Sequence, residues 1–478
     1  TDYNNHMDYG FPAACMIYET AGQDLLTLND QTGYNKFISS QRLLDRNITS
    51  TFNAFLWKLY YKHMKTANDI LKAIPADAAD ASLKKYRGQA LASRAFDYLQ
   101  LIQTYQLTYI GHETANGVPL VLETTSDTEL MNNPRASVQQ VYSRIMEDLD
   151  EAITLLTGAS ARADKAEISV EVAYGLRARA NLLMGKWSAA ASDAAKAYGT
   201  SAPYSIADVS QPTFYNATDN SWIWGIVVTT EDYLAKTGIV NWPSNLCSLT
   251  GMGYTTAASA TDVAYRLINK NLWAKIPETD VRKGWWVDED LHSVLDNGLG
   301  EDYAYYWANG MFNGGTFPSK FSPYTNVKFG PDNGTFADTD NAQDWPLMRV
   351  EEMKLIEAEA LGRDNLAAGK QKLEEFVRQY RDPSYTCTAG SLDAFIDEVW
   401  FQRRVELWGE GFALFDILRL KKPIIRQGAN YPINSTFAEI AAEAPIMIYR
   451  IPEAETSVNS AITEADNNPA AMAPTPVN

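Results

Sequence analysis

Hydrophobic positions follow a helical period at both ends of this chain and lose it in the middle. Residues 52–74 repeat apolar side chains on one face from Phe52 to Ile70 and stop before Pro75, which cannot continue a helix. The same period recurs in further segments, and Ser137 begins one of them with a side chain that can cap it. The pattern therefore predicts helices at residues 52–74, 83–107, 137–156, 167–184, 346–362, 366–381 and 391–408.

A short corner joins two predicted helices in the stretch LLMGKWSAAASDAAKAY at residues 182–198. Glycine allows one helix to end, the aromatic side chain fills the angle, and the alanines let the helices approach closely. A helix, a corner and a second helix at a spacing of about 34 residues are typical of tetratricopeptide repeats. A generic bundle is the alternative, because the other helix pairs match in period alone. The characteristic repeat positions are Tyr174, Ala178, Gly185, Trp187, Ala190, Ala194 and Ala197.

The middle of the chain carries clusters of Gly, Asn, Asp, Ser and aromatic residues, with a short strand-like piece at 222–229. Long loops that a compact protein retains are commonly functional. The predicted fold is therefore mainly α: a tetratricopeptide-like helical repeat scaffold with an irregular, aromatic-rich loop subdomain inserted. We expect one unit, 1–478, made of N-terminal helical repeats at 50–200, a loop-rich ligand-side subdomain at 201–345, and C-terminal helices with a closing segment at 346–478.

Charge and cysteine content narrow the possible partners and sites. The 478 residues carry a net charge of −18 and no basic run, which argues against a nucleic-acid partner. Cys15, Cys247 and Cys387 cannot all pair and lack the spacing of zinc ligands. The sequence has no apolar run of membrane-spanning length, and its first residues lack an export pattern. On these features alone, the protein is cytoplasmic or its targeting segment has been removed.

Common motifs for catalysis and cofactor binding are absent from the sequence. It contains no GxSxG, HExxH, P-loop or GxGxxG pattern, and a lone helical histidine such as His63 is typically packed or solvated. We therefore predict no catalytic residue, no cofactor and no metal ligand. One acidic loop has the composition of a calcium loop but lacks its glycine and closing glutamate, which favours a solvated loop. Its acids are Asp332, Asp338, Asp340 and Asp344.

Two aromatic loops point to carbohydrate recognition. The stretches EDYAYYWANGMFNGG at 301–315 and TGIVNWPSNL at 237–246 place aromatic rings beside asparagines and glycines. A sugar ring presents an apolar face of C–H groups edged by hydroxyls, so an aromatic platform can stack on the face while amides bind the edge. For each ring alone, packing beneath the loop is the competing interpretation. The predicted platform is Trp242, Tyr303, Tyr305, Tyr306, Trp307 and Phe312, with Asn241 and Asn309 as edge contacts.

Several separated motifs at the two ends of the chain carry a family resemblance. They are FQRRVELWGEGFALFDILRL at 401–420, DWPLMRVEEMKLIEAEAL at 344–361, and YRIPEAE at 449–455 with NNP at 467–469. These motifs are similar, in order, to the C-terminal part of the SusD/RagB family, and LWKLYYKHMKTANDILKAI and RGQALASRAFDYLQLIQTY resemble its first two repeat helices. The matching signature positions are Arg403, Arg404, Glu406, Leu407, Glu410, Gly411, Phe415, Asp416 and Arg419.

The charged residues of the signature indicate a structural network at a helix corner. Arg403 with Glu406, and Asp416 with Arg419, have the i,i+3 spacing of ion pairs, whereas Glu406 and Glu410 require a shared cation. We assign this network to structure and not to catalysis.

The resemblance implies a lipoprotein on the outer surface of a Bacteroidetes-type outer membrane. Such a protein covers a SusC-like TonB-dependent transporter and captures oligosaccharides, or in some relatives peptides, for import without cleaving them. Its membrane contact is a lipidated N-terminal cysteine. Because Cys15 lies in what the family treats as folded chain, we expect the export signal and the anchoring cysteine to have been removed from this chain.

Three alternatives share part of this pattern. A peptide-binding import component would share the scaffold, and a helical glycoside hydrolase would share the aromatic loops and acids. A pure assembly scaffold would leave the aromatic middle unexplained. Binding and cleavage assays separate these alternatives from oligosaccharide capture.

Overall fold

The computed structural model describes residues 7, 9–30, 35–255, 264–293, 295 and 321–477. Helices make up most of the regular structure in these residues, as the sequence predicts. The longer ones are α1 (Phe11–Ala21), α2 (Thr51–Ala73), α3 (Ala81–Tyr105), α4 (Val138–Leu156), α5 (Val170–Leu183), α6 (Trp187–Tyr198), α7 (Val350–Asp364), α8 (Leu366–Tyr380), α9 (Leu392–Glu406) and α10 (Ala413–Arg419).

Short strands form two-stranded antiparallel sheets, with the pairings β1 to β5, β2 to β3 and β4 to β6. The strands are β1 (Leu25–Leu26), β2 (Asn116–Pro119), β3 (Arg135–Ser137), β4 (Trp222–Ile226), β5 (Leu267–Ile268) and β6 (Trp345–Arg349). Short helical turns lie at Ile38–Gln41, Asp127–Leu130, Ile206–Val209, Tyr233–Lys236, Trp242–Leu246, Lys270–Trp273, Val281–Trp285, Asp332–Gly334, Ile433–Ser435, Pro445–Met447, Glu453–Thr456 and Glu464–Asp466.

The long helices form one continuous layer. From α2 to α6, each helix packs against the next. Helix α7 then packs on α6, although residues 199–349 lie between them in the chain, and α8 and α9 pack on α7. The inserted segment therefore leaves the helical layer and rejoins it at the neighbouring position. This arrangement confirms the predicted mainly α, tetratricopeptide-like scaffold with an irregular insertion.

The corner between α5 and α6 has the predicted geometry. Gly185 has a φ of +71°, a left-handed conformation that favours glycine. The ring of Trp187 lies against it, so a side chain at position 185 would meet that ring. Ala190, Ala194 and Ala197 are buried, and their small side chains allow α6 to pack closely between α5 and α7.

Side chains satisfy the free backbone groups at helix ends. As predicted, the Ser137 hydroxyl accepts a hydrogen bond from the Gln140 N–H at 3.2 Å, and the Gln140 side chain accepts one from the Ser137 N–H at 2.8 Å. At the C-terminal end of α1, the Arg426 guanidinium donates to the carbonyls of Thr20 and Gly22 at 3.0 and 2.6 Å. A buried cation is favourable there because the helix dipole places partial negative charge at that end.

Strands β4 and β6 close the insertion at its base. Trp222 pairs with Arg349 and Ile226 pairs with Trp345, so the first strand of the insertion is bonded to the last one before α7. Buried aromatic rings pack beside this ladder with centroids 5.1 to 6.3 Å apart. These rings are those of Phe214, Trp242, Trp285, Trp286, Phe329, Trp345 and Trp408.

A buried network of charged side chains joins the C-terminal helices to the insertion. Each member is at most 5% exposed, and the set contains four cations and four carboxylates. Such burial is tolerated only when every charge has a well-placed partner. The members are Asp280, Arg282, Lys328, Arg349, Glu351, Arg381, Glu406 and Glu410.

Glu406 and Glu410 share a cation, as the sequence predicts. The Arg349 guanidinium donates to Glu406 Oε1 at 3.2 Å and to both oxygens of Glu410 at 2.8 and 2.9 Å. Arg381 forms two further bonds to Glu406, at 2.7 and 2.9 Å. Burial by itself raises the pKa of Glu406, but the guanidinium groups of Arg381 and Arg349 outweigh it and hold that pKa far below its usual range.

The predicted pair of Arg403 with Glu406 is wrong. Arg403 Nε instead donates to Asp416 Oδ2 at 2.7 Å, because α10 returns past α9 and Glu406 is already taken by Arg381. The predicted pair of Asp416 with Arg419 is confirmed, with Oδ1 and Nε 2.6 Å apart. Tertiary contacts thus override the helical spacing at one position and agree with it at the other.

The signature glycine Gly411 lies where the turn before α10 meets α1. Its φ is +96°, and a Cβ there would lie 2.6 Å from Cys15 Sγ, so both the conformation and the close approach require glycine. Glu19 of α1 receives the turn: its Oε1 accepts from the Gly411 and Phe412 N–H groups at 2.8 and 2.9 Å. All three cysteines are buried free thiols.

Helices α2 and α3 carry a half-exposed histidine paired with a buried carboxylate. His63 Nδ1 lies 2.9 Å from Asp97 Oδ1, and the two side chains are 52% and 0% exposed. Burial raises the pKa of Asp97 to about 6, against the lowering effect of His63. The hydrogen bond and the charge of Asp97 raise the pKa of His63 in turn.

The substitution Glu406→Gln should destabilise the fold strongly. It removes one of the two carboxylates that the buried guanidinium groups of Arg381 and Arg349 share, and removing one partner of a buried ion pair costs about 3–5 kcal/mol. Urea unfolding followed by tryptophan fluorescence measures the free energy of unfolding. As a control, Asp69→Asn breaks the exposed pair with Lys65 and should cost less than about 1 kcal/mol. Equal losses in the two variants would contradict the importance of the network.

The substitution Asp97→Asn should lower the pKa of His63, because it removes the carboxylate that raises it and leaves the opposing effect of burial. An NMR titration of the histidine ring protons measures this pKa. The matched control Ser93→Ala removes the hydroxyl 3.4 Å from His63 Nε2 and should leave the pKa near that of the parent.

The same pair predicts a pH dependence of stability. The pKa of Asp97 is raised from 3.8 to about 6, so the folded state holds a proton that the unfolded state has lost. The free energy of unfolding should therefore fall as pH rises through that interval, and Asp97→Asn should abolish this decline. A His63 pKa that is the same in the parent and in Asp97→Asn would exclude the proposed pairing.

Candidate functional site

The predicted ligand-binding residues fall into two groups. Asn241 and Trp242 belong to the described part of the chain. Six others lie outside the described residues, and for these the platform stays a prediction. They are Tyr303, Tyr305, Tyr306, Trp307, Asn309 and Phe312.

Trp242 lies in the aromatic core at the wall of a cleft. It is 3% exposed, and its ring packs edge-on against Phe329 and Trp345, with centroids 5.8 and 5.1 Å away. Its Nε1 donates to the Gln343 carbonyl at 2.8 Å. The ring is therefore fixed in place, and in this conformation it is not an open stacking platform. A contact between Trp242 and a ligand stays a prediction.

Asn241 positions Trp242 by starting the short helix Trp242–Leu246. Its Oδ1 accepts from the Ser244 N–H at 2.9 Å, and its Nδ2 donates to the Leu234 carbonyl at 3.3 Å. Asn241 is 5% exposed. Both ends of the amide therefore have protein partners. The predicted contact between Asn241 and a sugar hydroxyl stays a prediction.

The cleft beside Trp242, which we call the Tyr233 cleft, has a volume of about 290 Å³. Its rim is exposed: Tyr233 is 56% and Val227 39% accessible to solvent. Its floor is buried, with Trp345 at 0% exposed. The cleft is lined by Tyr9, Pro12, Ile226, Val227, Val228, Asp232, Tyr233, Leu234, Ala235, Asn241, Trp242, Pro243, Asn341 and Trp345.

Two buried polar groups on the cleft wall lack hydrogen-bond partners in the described structure. These are the Tyr9 hydroxyl and the Trp345 indole Nε1. Burial raises the pKa of Tyr9 well above its usual value, so the hydroxyl stays protonated and can donate. An unpaired buried donor is costly, and a ligand or water that accepts from it recovers that cost.

The rim of the cleft is held by local hydrogen bonds. Asp232 precedes the helix Tyr233–Lys236, and its Oδ2 accepts from the Thr229 N–H at 2.7 Å. The neighbouring N–H of Val228 donates to Asp344 Oδ1 at 2.8 Å. The carboxylate of Asp232 is therefore fixed beside the exposed ring of Tyr233.

This arrangement suits a ligand that has both apolar faces and hydroxyl groups. The exposed tyrosine offers an aromatic face, Asp232 offers acceptors, and the Tyr9 and Trp345 groups offer donors at the floor. Pockets for small molecules commonly combine apolar walls with a few convergent polar groups. The cleft is at the lower end of the usual volume range of about 300–1,000 Å³, so it accommodates one or two sugar rings.

Sequence analysis missed Tyr9, Asp232 and Tyr233 as site residues. The aromatic density of 301–315 drew attention to that loop, whereas the stretch TTEDYLAKTG has a single ring. The sequence signal that could have identified this loop is Tyr233 directly preceded by Glu231 and Asp232, shortly before Gly238. Tyr9 carried none, because more than two hundred residues of sequence separate it from Tyr233 in the same cleft.

The acidic loop at 330–344 ends in a carboxylate, that of Asp344, which binds backbone N–H groups. Asp344 accepts from the N–H groups of Ala217 and Val228 at 2.7 and 2.8 Å. Burial raises the pKa values of Asp332 and Asp338. In the ranges described, no three His, Cys, Asp or Glu side chains are close enough together to hold a metal ion.

Ser93, His63 and Asp97 form a row that resembles a hydrolase triad in spacing. Ser93 Oγ lies 3.4 Å from His63 Nε2, and Nδ1 lies 2.9 Å from Asp97 Oδ1. Ser93 is in the middle of α3, where backbone N–H groups bond to helical carbonyls. The helix around Ser93 therefore offers no backbone donors for an oxyanion hole, the part that stabilises the transition state of acyl transfer.

Comparison with solved structures shows the same fold in several proteins. A SusD-like carbohydrate binding protein from Bacteroides vulgatus is 22% identical, with a TM-score of 0.76 over 97% of this chain and 94% of that one. A laminarin binding SusD-like protein is 19% identical, with a TM-score of 0.69 over 98% and 97%. A surface glycan-binding protein A from Bacteroides thetaiotaomicron, in complex with laminarihexaose, is 15% identical, with a TM-score of 0.66 over 95% and 93%.

No curated protein sequence matches the chain significantly. Among the described residues, no helix is both long and apolar enough to cross a membrane.

Two family models match the sequence and identify its family. A family model described as starch-binding, associating with the outer membrane, matches residues 19–182. The SusD family model matches residues 255–469, which include the C-terminal signature. This chain belongs to the SusD/RagB family.

Proposed function

We propose that this protein binds oligosaccharides at the cell surface and does not cleave them. The observation that carries the proposal is the Tyr233 cleft, in which an exposed aromatic ring and a fixed carboxylate stand over buried, unpartnered donors. A sugar ring can stack its C–H face on Tyr233, donate hydrogen bonds from its hydroxyl groups to Asp232, and accept hydrogen bonds from Tyr9 and Trp345.

The relatives support the class of ligand. Proteins with this fold include one named as laminarin binding and one solved with laminarihexaose. Laminarihexaose is therefore a rational first probe, although identities of 15 to 19% carry the fold and not the ligand. The aromatic loop at 301–315 remains part of the proposed site, as a second platform that would extend binding beyond the one or two rings of the cleft.

Family membership supports the finer steps of the proposal. The protein would be held on the outer membrane by a lipid anchor, and it would pass its ligand to a SusC-like TonB-dependent transporter for import. The row of Ser93, His63 and Asp97 is set into helices that offer no oxyanion donors, which supports a binding role without catalysis.

The substitution Tyr233→Ala should weaken oligosaccharide binding about 10-fold, or about 1.4 kcal/mol, because it removes the exposed stacking face of the cleft. A glycan array beside a peptide library first identifies the ligand, with laminarihexaose included, and calorimetry then compares the variants. Overnight incubation with the ligand followed by a reducing-end assay tests for cleavage.

The matched control for this test is Tyr86→Ala. Tyr86 is 53% exposed, close to the 56% of Tyr233, but it lies on the helical scaffold outside the cleft. It should bind as the parent does, and both variants should melt like the parent. Equal affinities of the two variants would exclude the cleft, whereas selective peptide binding or release of reducing ends would exclude the proposed function itself.

The substitution Trp307→Ala tests the second platform separately. We expect weaker binding of long oligosaccharides with little change for a disaccharide, since the loop would contact additional rings. Trp242→Ala is unsuitable for this purpose, because truncating a buried tryptophan costs about 3–5 kcal/mol of stability. If Trp307→Ala binds all chain lengths as the parent does, the loop is not part of the site.

A further inference from the structure

A second, smaller cavity lies at the turn before α10, which contains Gly411 and Phe412, between the N-terminal repeat helices and the C-terminal helices. Its volume is about 50 Å³. The residues that decide its chemistry come from five helices and the turn before α10: Gln100 from α3, Arg179 from α5, Ile356 from α7, Arg403 from α9, Arg419 from α10, and Phe412 from the turn. Three guanidinium groups therefore converge on one small space.

Two of these guanidinium groups have unused N–H donors at buried atoms. Arg403 Nη1 and Arg419 Nη2 have no hydrogen-bond partner in the described structure, and the side chains are 4% and 7% exposed. Both Nε atoms bind Asp416, and Arg419 Nη1 binds Glu359 at 2.8 Å. Both arginines line the cavity, so an acceptor bound there can take up the two unused donors.

Three arginines and three carboxylates line this cavity, and each carboxylate is already bound. Glu352 pairs with Arg179, and Asp416 pairs with both Arg403 and Arg419. The neighbouring network around Glu406 has four charges of each sign. Glu410 also lines the cavity, but its charge is bound by Arg349 and Lys328 of that network.

A further carboxyl group, that of Glu19, lies behind the cavity wall. Glu19 holds the backbone of Gly411, which lines the cavity, through its Oε1. Burial raises the pKa of Glu19 to about 7, so below that pH the carboxyl is largely neutral. Guanidinium donors without an acceptor are costly in such a place, because apolar walls including Phe412 and Phe415 lower the local dielectric.

We propose that this cavity binds one small monovalent anion, of the size of chloride or formate. Arg403 and Arg419 supply donors that only an acceptor can satisfy, and guanidinium groups form their strongest hydrogen bonds with negatively charged acceptors. A space of about 50 Å³ holds one or two water-sized groups and is far below the volume of about 300–1,000 Å³ that a drug-sized ligand needs. Gln100, whose Oε1 also lacks a described partner, can turn its amide to present the NH₂ group.

The anion has a structural role in this assignment. Its ligands come from α3, α5, α9 and α10, so it links the first repeat helices to the C-terminal signature. Ligands that bind only the folded state stabilise it by mass action. The stability of this protein should therefore depend on which anion is present, and not only on ionic strength.

Crystals grown or soaked in sodium bromide test the site directly, since bromide replaces chloride and is located by anomalous scattering. We expect one peak among Arg179, Arg403 and Arg419. In parallel, the full chain at pH 6.5 should melt about 2 °C higher in chloride or formate than in gluconate at equal ionic strength. Gluconate is too large for the cavity. A rise in chloride alone would identify a halide, and a rise in formate alone a small carboxylate.

Two neighbouring arginines provide a matched pair of variants. Arg403→Gln should abolish the difference between chloride and gluconate. Arg404→Gln, which breaks a pair with Asp24 outside the cavity, should retain it. If Arg403→Gln does not fold, the bromide map and the salt comparison of the parent decide. No bromide peak together with equal melting in chloride, formate and gluconate would show that water fills the cavity, and a peak without any anion-dependent melting would show an ion bound at crystal concentration only. Either result overturns the proposal.

Discussion

Eight charged side chains, buried together where the insertion meets the C-terminal helices, set the constraint on which the rest of the structure depends. Removing an ion from water costs several kcal/mol, and only complete pairing offsets that cost. Arg282 and Lys328 come from the insertion, Arg349 from the end of β6, and Arg381 from the end of α8. Three of their carboxylates, Glu351, Glu406 and Glu410, lie in or beside α7 and α9, and the fourth, Asp280, lies in the insertion. The insertion and the C-terminal helices must therefore fold together, since neither can satisfy its charges alone.

The helical scaffold could be predicted from the sequence because its signals are local. A helix face, a cap such as Ser137 and a corner glycine such as Gly185 depend on residues within one or two turns, and the structure has all three where they were expected. The charge network could be predicted only in part. The shared cation of Glu406 and Glu410 follows from their spacing, but its identity as Arg349 does not, because 57 and 61 residues separate the partners.

The candidate site was less accessible to sequence reasoning for the same physical reason. Aromatic residues are selected both for stacking on ligands and for filling cores, and composition does not separate the two uses. Trp242 lies in the core, whereas Tyr233, a few residues earlier in an ordinary-looking loop, is exposed. The buried rings around Trp345 serve the site indirectly, because they give the cleft a rigid floor against which Tyr233 and Asp232 are positioned.

The pairing of β4 with β6 has a consequence for how such proteins diversify. The segment between these strands starts and ends at adjacent positions of one ladder, so its loops outside the buried charge network can change without moving the helices that carry them. The two family models leave residues 183–254 unmatched, and the rim of the Tyr233 cleft lies in that gap. The rim of the cleft can thus be rebuilt by changes in exposed loops alone, whereas Asp280, Arg282 and Lys328 of the same segment are tied to the buried charges of the scaffold.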